Sequence, residues 1–213
     1  VAVCYRDARM SSDKKTEFGP KFGVGTPLHR HHTTSLVFND PPLHARVRKL
    51  LAAAFTPRAL AAMQPRIEAV VDDLLARNAD RGHMDLIEDF AFRLPVEVIC
   101  DMLGVPAGDR APFRRYSLAI LGALEPVTGP EQLAAGNEAV SEFSAYLDEL
   151  VAERRKRPAD DRDVLGTLIH GEVDGERLSH EELVQNCIFL LNAGHETTTN
   201  LIGNTVDALL RFP

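Results

Sequence analysis

The C-terminal stretch constrains this chain most. From Ser179 to Arg211 the sequence reads "SHEELVQNCIFLLNAGHETTTNLIGNTVDALLR", with no proline to interrupt it. Ser179 and Glu182, three residues apart, form a capping box, in which each side chain closes the other's backbone at a helix N-terminus. Leu183, Cys187, Leu190, Leu191, Gly194, Thr197, Thr198 and Leu201 recur at three and four and trace one side of a helix. A helix from His180 to about Arg211 would run roughly 45 Å at 1.5 Å per residue. That length crosses a whole domain, so the rest of the chain has to be arranged around it.

The middle of this helix contains poor helix residues. In "LLNAGHETTTN", residues 190–200, a glycine and three β-branched threonines are mediocre helix formers, and a glutamate in an apolar run is costly unless paired. Together they mark a place with a task. Gly194 removes a side chain where something approaches the backbone and lets the helix open locally. A helix–helix contact that needs a small residue explains the glycine equally well. Glu196 beside Thr197 puts an acid next to a hydroxyl, a pair that can relay protons.

Upstream, the pattern is also helical. Residues 1–42 read as irregular, rich in Gly, Pro, Thr and His, with "LHRHH" (His29, His31, His32) as a solvated loop. A turn at "NDPP" releases a helix at "LHARVRKLLAAAF". Thr56 is a natural N-cap and Pro57 suits the first position of the next helix. "GHMDLIEDF" is a short strand or turn. Helices follow at "LPVEVICDMLGV", "PAGDRAPFRRYSLAILGAL" and from "GPEQLAAG" to "ERRKRP", whose basic end suits the negative pole of a helix dipole. Asp174-Gly175 marks a turn. The picture is one mostly α domain over 1–213, divided as 1–42, 43–178 and the long helix 179–211.

Composition sets outer bounds. The 213 residues are 45% apolar and 26% charged, ordinary for a globular protein. A net charge of −7 argues against a general nucleic-acid binder. No apolar run approaches the roughly 18 residues of a membrane span, and "VAVCYRDARM" lacks the core of a signal peptide, so the cytoplasm is the expected compartment. Cys4, Cys100 and Cys187 are too sparse for a disulfide framework. Cys100 and Cys187 lie in apolar helical patterns and read as small buried hydrophobes.

Several motifs fail on inspection. "HETTT" has Thr199 where a zinc H-E-x-x-H needs its second histidine. The stretch "HGEVDGERLSHE" starts on His170 where a calcium loop needs Asp, so an Asp-Gly turn is preferred. "GVGTPL" lacks the third glycine of a dinucleotide fingerprint. His44 and Arg48, four apart, share one helix face and could clamp an anion such as a carboxylate, or be a plain surface pair.

Taken together these pieces resemble the cytochrome P450 family of haem-thiolate monooxygenases, in its soluble bacterial form. Ala193-Gly194-His195-Glu196-Thr197 matches the family's oxygen-activation motif, (Ala/Gly)-Gly-x-(Asp/Glu)-Thr, on its long central I helix. "FNDPPLHARVRKLLAAAFTPRAL" resembles the stretch before and along the family's C helix, including its His-x-x-x-Arg pair. The resemblance implies an all-helical P450-like fold in which 1–42 is the B–C region, 43–178 the C to H helices and 179–211 the I helix. It implies haem b as cofactor, with His44 and Arg48 on its propionates, Ala193 and Gly194 bordering the oxygen groove, and Glu196 and Thr197 delivering protons. Phe22 to Thr34, Tyr116 to Leu124 and Leu190 would help form a pocket for a small organic substrate. Arg46 and Lys49 would suit docking of an acidic, ferredoxin-type electron donor; no nucleic acid or membrane partner is implied.

The match covers the central part of the family's pattern. The expected Glu-x-x-Arg helix and Gly-rich cysteine loop would lie beyond Pro213, so the fold is expected to be incomplete here, and no axial thiolate or other metal ligand is assigned within this chain. The expected activity is therefore that of the parent enzyme, a monooxygenase. A haem-free helical relative acting as a binding or interaction module is the alternative.

Overall fold

The computed structural model describes residues 7, 9–158 and 163–212, so Cys4 lies outside the described part. Among the described residues nine α-helices follow one another: α1 Lys15–Phe22, α2 Pro27–Thr34, α3 Leu43–Ala52, α4 Pro57–Ala79, α5 Arg93–Met102, α6 Phe113–Gly122, α7 Pro130–Arg154, α8 Val164–His170 and α9 His180–Arg211. Short 3-10 turns stand at Leu36–Phe38 and Ala107–Asp109, and a π-helical turn at Leu86–Ala91. Among the described residues the only β pairing is an isolated bridge between Val173 and Glu176. It closes over Asp174 and Gly175, both with positive φ (56° and 79°), the backbone of a tight two-residue turn that an Asp-Gly pair favours.

The helix starts follow the expected chemistry. The Thr56 side chain accepts from Ala59 N with Pro57 behind it, and Ser179 and Glu182 close the reciprocal box of α9. The same Thr-Pro signal at Thr26-Pro27 opens α2, whose N-cap Thr26 accepts from His29 N. The described part of 1–42, expected to be irregular, thus holds α1, α2 and a 3-10 turn between residues 15 and 38. "GHMDLIEDF" forms neither strand nor simple turn; Asp85 caps the π-helical turn by accepting from Ile87 N and Glu88 N.

The core is one cluster with α7 at its centre. Phe143, Leu147 and Val151 of α7 are buried against α6, α2 and α9. Phe113, Tyr116 and Phe143 make the aromatic heart: the Tyr116 and Phe143 rings stack at 5.4 Å and Phe113 meets Phe143 edge-on at 4.7 Å. On α9 the buried stripe runs Val184, Ile188, Leu191, His195, Thr199, a three–four spacing that turns the helix onto α5, α6, α7 and the π-turn. The expected side is the buried one only in part: Leu183, Cys187 and Leu191 are buried, but Leu190, Gly194 and Thr198 are only half-buried, and Thr197 and Leu201 are exposed.

Beyond Thr199 no described residue of α9 is buried. Leu201, Leu209, Leu210 and Phe212 stand 65–80% exposed. An apolar face of this kind drives association. The isolated chain is expected to self-associate in size-exclusion chromatography with light scattering, and Leu209→Lys with Leu210→Lys to reduce it. A monomer with a sharp, cooperative thermal transition would overturn this.

Candidate functional site

The Ala193–Thr199 stretch of α9 is continuous α-helix, so the helix does not open at Gly194. The reason for the glycine is close packing: a Cβ there would lie 2.7 Å from Ile99 Cδ1 of α5. Thr197 points away from the core. It is exposed, and its Oγ1 donates back to Ala193 O at 2.7 Å, the common way for a helical threonine to occupy its hydroxyl. Ala193 is exposed on the same side, one turn earlier. Ala193 and Thr197 therefore leave a small-residue face with a hydroxyl at its edge.

Glu196 is not buried, so the cost expected of a carboxylate in a core does not arise. It points about 100° around the helix from Thr197 and lines a cavity of about 400 Å³ between α6, α9 and the π-turn, with Glu88, Glu125, Leu118 and Leu121. A carboxylate in such a mixed cavity has access to water. Thr199 behaves differently: it is buried, and its hydroxyl lies 3.1 Å from Ala91 O and 2.9 Å from His195 O.

His195 is the residue whose placement the sequence concealed. It is buried, its Nδ1 lies 3.0 Å from Ser117 Oγ of α6, and its ring meets Phe92 edge-on at 4.1 Å. Arg114 caps the other side of Phe92 with its guanidinium 3.9 Å from the ring centroid. Burial, with the Arg114 charge, lowers the His195 pKa to about 4, so it stands neutral and joins α6 to α9. Nothing in the sequence pairs Ser117 with a residue 78 positions away.

His44 and Arg48 share one face of α3, half-buried and exposed respectively. Among the described residues neither the imidazole nor the guanidinium has a hydrogen-bond partner. Two uncommitted donors at i, i+4 fit an anionic group such as a propionate. The neighbours on the same helix are committed. Arg46 pairs with Glu182 and, at 3.4 Å, with Glu176; Lys49 pairs with Asp174. Their charges hold α3 to the turn before α9 and to its first turn, so these two residues do not supply the free basic surface expected of them.

The buried thiols are unsuited to ligating a metal. Cys100 and Cys187 are free, and burial pushes each up to about 12, so both stay protonated. The "LHRHH" histidines are not a solvated loop either. His31 and His32 are 2% and 3% exposed within α2, where the His32 ring packs among Phe18, Phe22 and Phe38. Of the expected pocket segments, Phe22, Leu28, Tyr116 and Ile120 are buried, while Leu190 is half-buried. The structure makes no direct contact between the pair on α3 and the motif on α9; each stands on its own helix.

The chain thus carries an exposed acid–hydroxyl pair in the middle of its longest described helix and the His44–Arg48 pair on one face of a second helix. The sequence model of the Cytochrome P450 family matches residues 8–213. The chain is 42% identical over 213 residues to the Vitamin D(3) 25-hydroxylase of Pseudonocardia autotrophica, covering 100% of this chain and 50% of that protein. It is 45% identical to Cytochrome P450 107B1 of Saccharopolyspora erythraea over 82% of this chain and 41% of that one. Among solved structures, P450BioI in complex with acyl-carrier-protein-ligated hexadec-9Z-enoic acid superposes with a TM-score of 0.88 at 33% identity, covering 100% of this chain and 53% of that one. The chain belongs to the cytochrome P450 family, whose cofactor is haem b, and spans about half the length of the curated relatives it matches. No described helix is long and apolar enough to cross a membrane.

Proposed function

We propose that the chain is the central helical part of a cytoplasmic haem monooxygenase that places one oxygen atom from O2 into a small organic substrate. The observation that carries this reading is the uncovered Ala193–Thr197 face of α9, with its hydroxyl at the edge and Glu196 in a separate cavity. Two relatives are named as hydroxylases of vitamin D(3) and of 6-deoxyerythronolide B, which supports hydroxylation of an organic molecule.

When bound, the haem supplies the oxygen and redox chemistry. This chain's residues hold it and manage protons. His44 and Arg48 bind its propionates, since both have donors to spare and share one face. Ala193 and Gly194 border the space for the diatomic, although the Gly194 side of the helix is taken by Ile99. Thr197 turns its hydroxyl from Ala193 O toward that space and holds a water there. Glu196 takes protons from water in its own cavity and passes them to that water. Electrons come from a ferredoxin-type donor, which docks without Arg46 and Lys49 because their charges are already neutralised by Asp174, Glu176 and Glu182.

The test is haem uptake and retention in a parent that carries this chain. Each charge-assisted hydrogen bond to a propionate is worth about 1.5–3 kcal/mol. His44→Ala with Arg48→Ala is therefore expected to speed haem loss to apomyoglobin by at least about tenfold. Unchanged occupancy and loss rate would leave the two as a surface pair, and a parent that never takes up haem would refute the proposed function.

A further inference from the structure

One turn of α9 grips three separate upstream elements. Glu182 pairs with Arg46 of α3. Gln185 Oε1 lies 3.0 Å from His31 Nδ1 of α2, and Asn186 Oδ1 accepts from Leu36 N at 3.0 Å, at the start of the 3-10 turn that packs on α3. From α7, Asn137 Oδ1 accepts from Leu28 N at 3.0 Å, satisfying a donor that the first turn of α2 leaves free.

These amides are themselves held in place. Asn186 Nδ2 donates to Glu182 O at 2.7 Å, Asn137 Nδ2 to Leu133 O at 2.9 Å, and Gln185 Nε2 lies 3.3 Å from Ser144 Oγ. Gln185 and Asn186 are buried beside Leu183, Val184, Cys187 and Ile188. Polar side chains there are costly unless every group is paired, and their geometry is then well defined. Burial lowers the His31 pKa to about 4, so the ring is neutral, and because an amide oxygen can only accept, Nδ1 is the nitrogen that donates to Gln185 Oε1.

The consequence is registration along a rigid rod. Asn186 and Thr197 lie on the same unbroken helix, eleven residues apart, roughly 17 Å at 1.5 Å per residue. The stretch Glu182–Asn186 holds α2, the 3-10 turn and α3, and α3 carries His44 and Arg48. We propose that Gln185 and Asn186, with Asn137, are positioning residues that set the His44–Arg48 pair at a defined distance from Thr197. This rests on the proposed function for the meaning of that distance, but the mechanical grip stands without it.

The test has two arms. In the first, hydrogen exchange is measured on the parent protein without added ligand. Asn186→Leu is expected to speed exchange at the Leu36 amide about five- to tenfold, the effect of one lost hydrogen bond, with α4 amides unchanged. Asn137→Ala, which removes the acceptor of the Leu28 amide and leaves Asn186 in place, is expected to leave Leu36 exchange near wild type. Unchanged Leu36 exchange in Asn186→Leu, or equal Leu36 exchange in the two variants, overturns the grip.

In the second arm, haem loss is measured as a double-mutant cycle. Asn186→Leu is expected to speed loss severalfold when His44 and Arg48 are present and to have no effect when both are alanine. Additive effects would mean that Asn186 acts on general stability and would overturn the positioning role. If Asn186→Leu does not fold, Asn137→Ala carries the same comparison at a half-buried site, read at the Leu28 amide. A parent that binds no haem in any form defeats the proposed function, while the exchange arm still decides the grip.

Discussion

Thr197→Ala in the haem-loaded parent is expected to keep oxygen and electron consumption near normal while product falls and hydrogen peroxide in solution rises. The hydroxyl stands on the uncovered Ala193–Thr197 face, and its present partner, Ala193 O at 2.7 Å, belongs to the same helix and is given up without unfolding anything. Positioned proton delivery is typically worth 10²–10⁴-fold. Water can partly substitute in the variant, so the ratio of product to oxygen consumed should fall on the order of tenfold or more. Thr197→Ser should retain most of it. Thr199→Ala is the control: its hydroxyl is buried between Ala91 O and His195 O, so its removal should cost about 1–2 kcal/mol of stability and leave the ratio alone. If the product ratio is unchanged in Thr197→Ala, the threonine is a packing residue and the proton relay lies elsewhere.

The second large effect is acid lability well above the range where carboxylates protonate. His31 and His32 are buried in their neutral form. Burial lowers His31 to about 4, and burial with the nearby charges of His31 and Lys21 lowers His32 to about 2. In the unfolded chain each accepts a proton near pH 6.5. Between 6.5 and the folded values the unfolded state binds more protons, so stability is complete above about pH 6.5 and falls as pH drops toward about 4. At pH 5 the two together should cost on the order of 4 kcal/mol, a large share of a typical domain's stability. His195, lowered to about 4, adds in the same direction. Urea midpoints at pH 7.5 and pH 5 measure this. His32→Phe should roughly halve the loss, since it keeps the ring among Phe18, Phe22 and Phe38 and removes the titration. Equal stability at the two pH values would show that these histidines reach water.

Much of the scaffold was readable in the chain. The ends of α9 follow from the Ser179–Glu182 box and the lack of proline, and α4 begins where Thr56-Pro57 says it should. These are local signals, decided by atoms within one turn. The same local signal at Thr26-Pro27 predicts α2, yet it is masked by the surrounding glycines and histidines, which resemble a loop until Phe18, Phe22, Phe38 and α9 surround them. The acid–hydroxyl motif and the His44–Arg48 pair are also legible, because each lies within five residues of sequence.

Tertiary structure decided the rest. Sequence spacing grouped Leu183, Cys187 and Leu191 with Leu190, Gly194, Thr197 and Leu201; packing buries the first three, leaves the other four half-buried or exposed, and buries Val184, Ile188, His195 and Thr199 as well. Periodicity identifies a helical face but not how far it is rotated, and that rotation is set by neighbours such as Ile99 pressing on Gly194. Charge gave the same lesson at Arg46 and Lys49, basic in any composition yet neutralised by acids more than 120 residues away. The amides at Asn137, Gln185 and Asn186 look like errors in apolar helices until their partners at Leu28, His31 and Leu36 arrive from the other end of the chain. By itself, the sequence determined helices, caps and the family motif, because those depend on near neighbours. Which side chains are buried, paired or left free depends on contacts across the fold, which only the folded chain brings together.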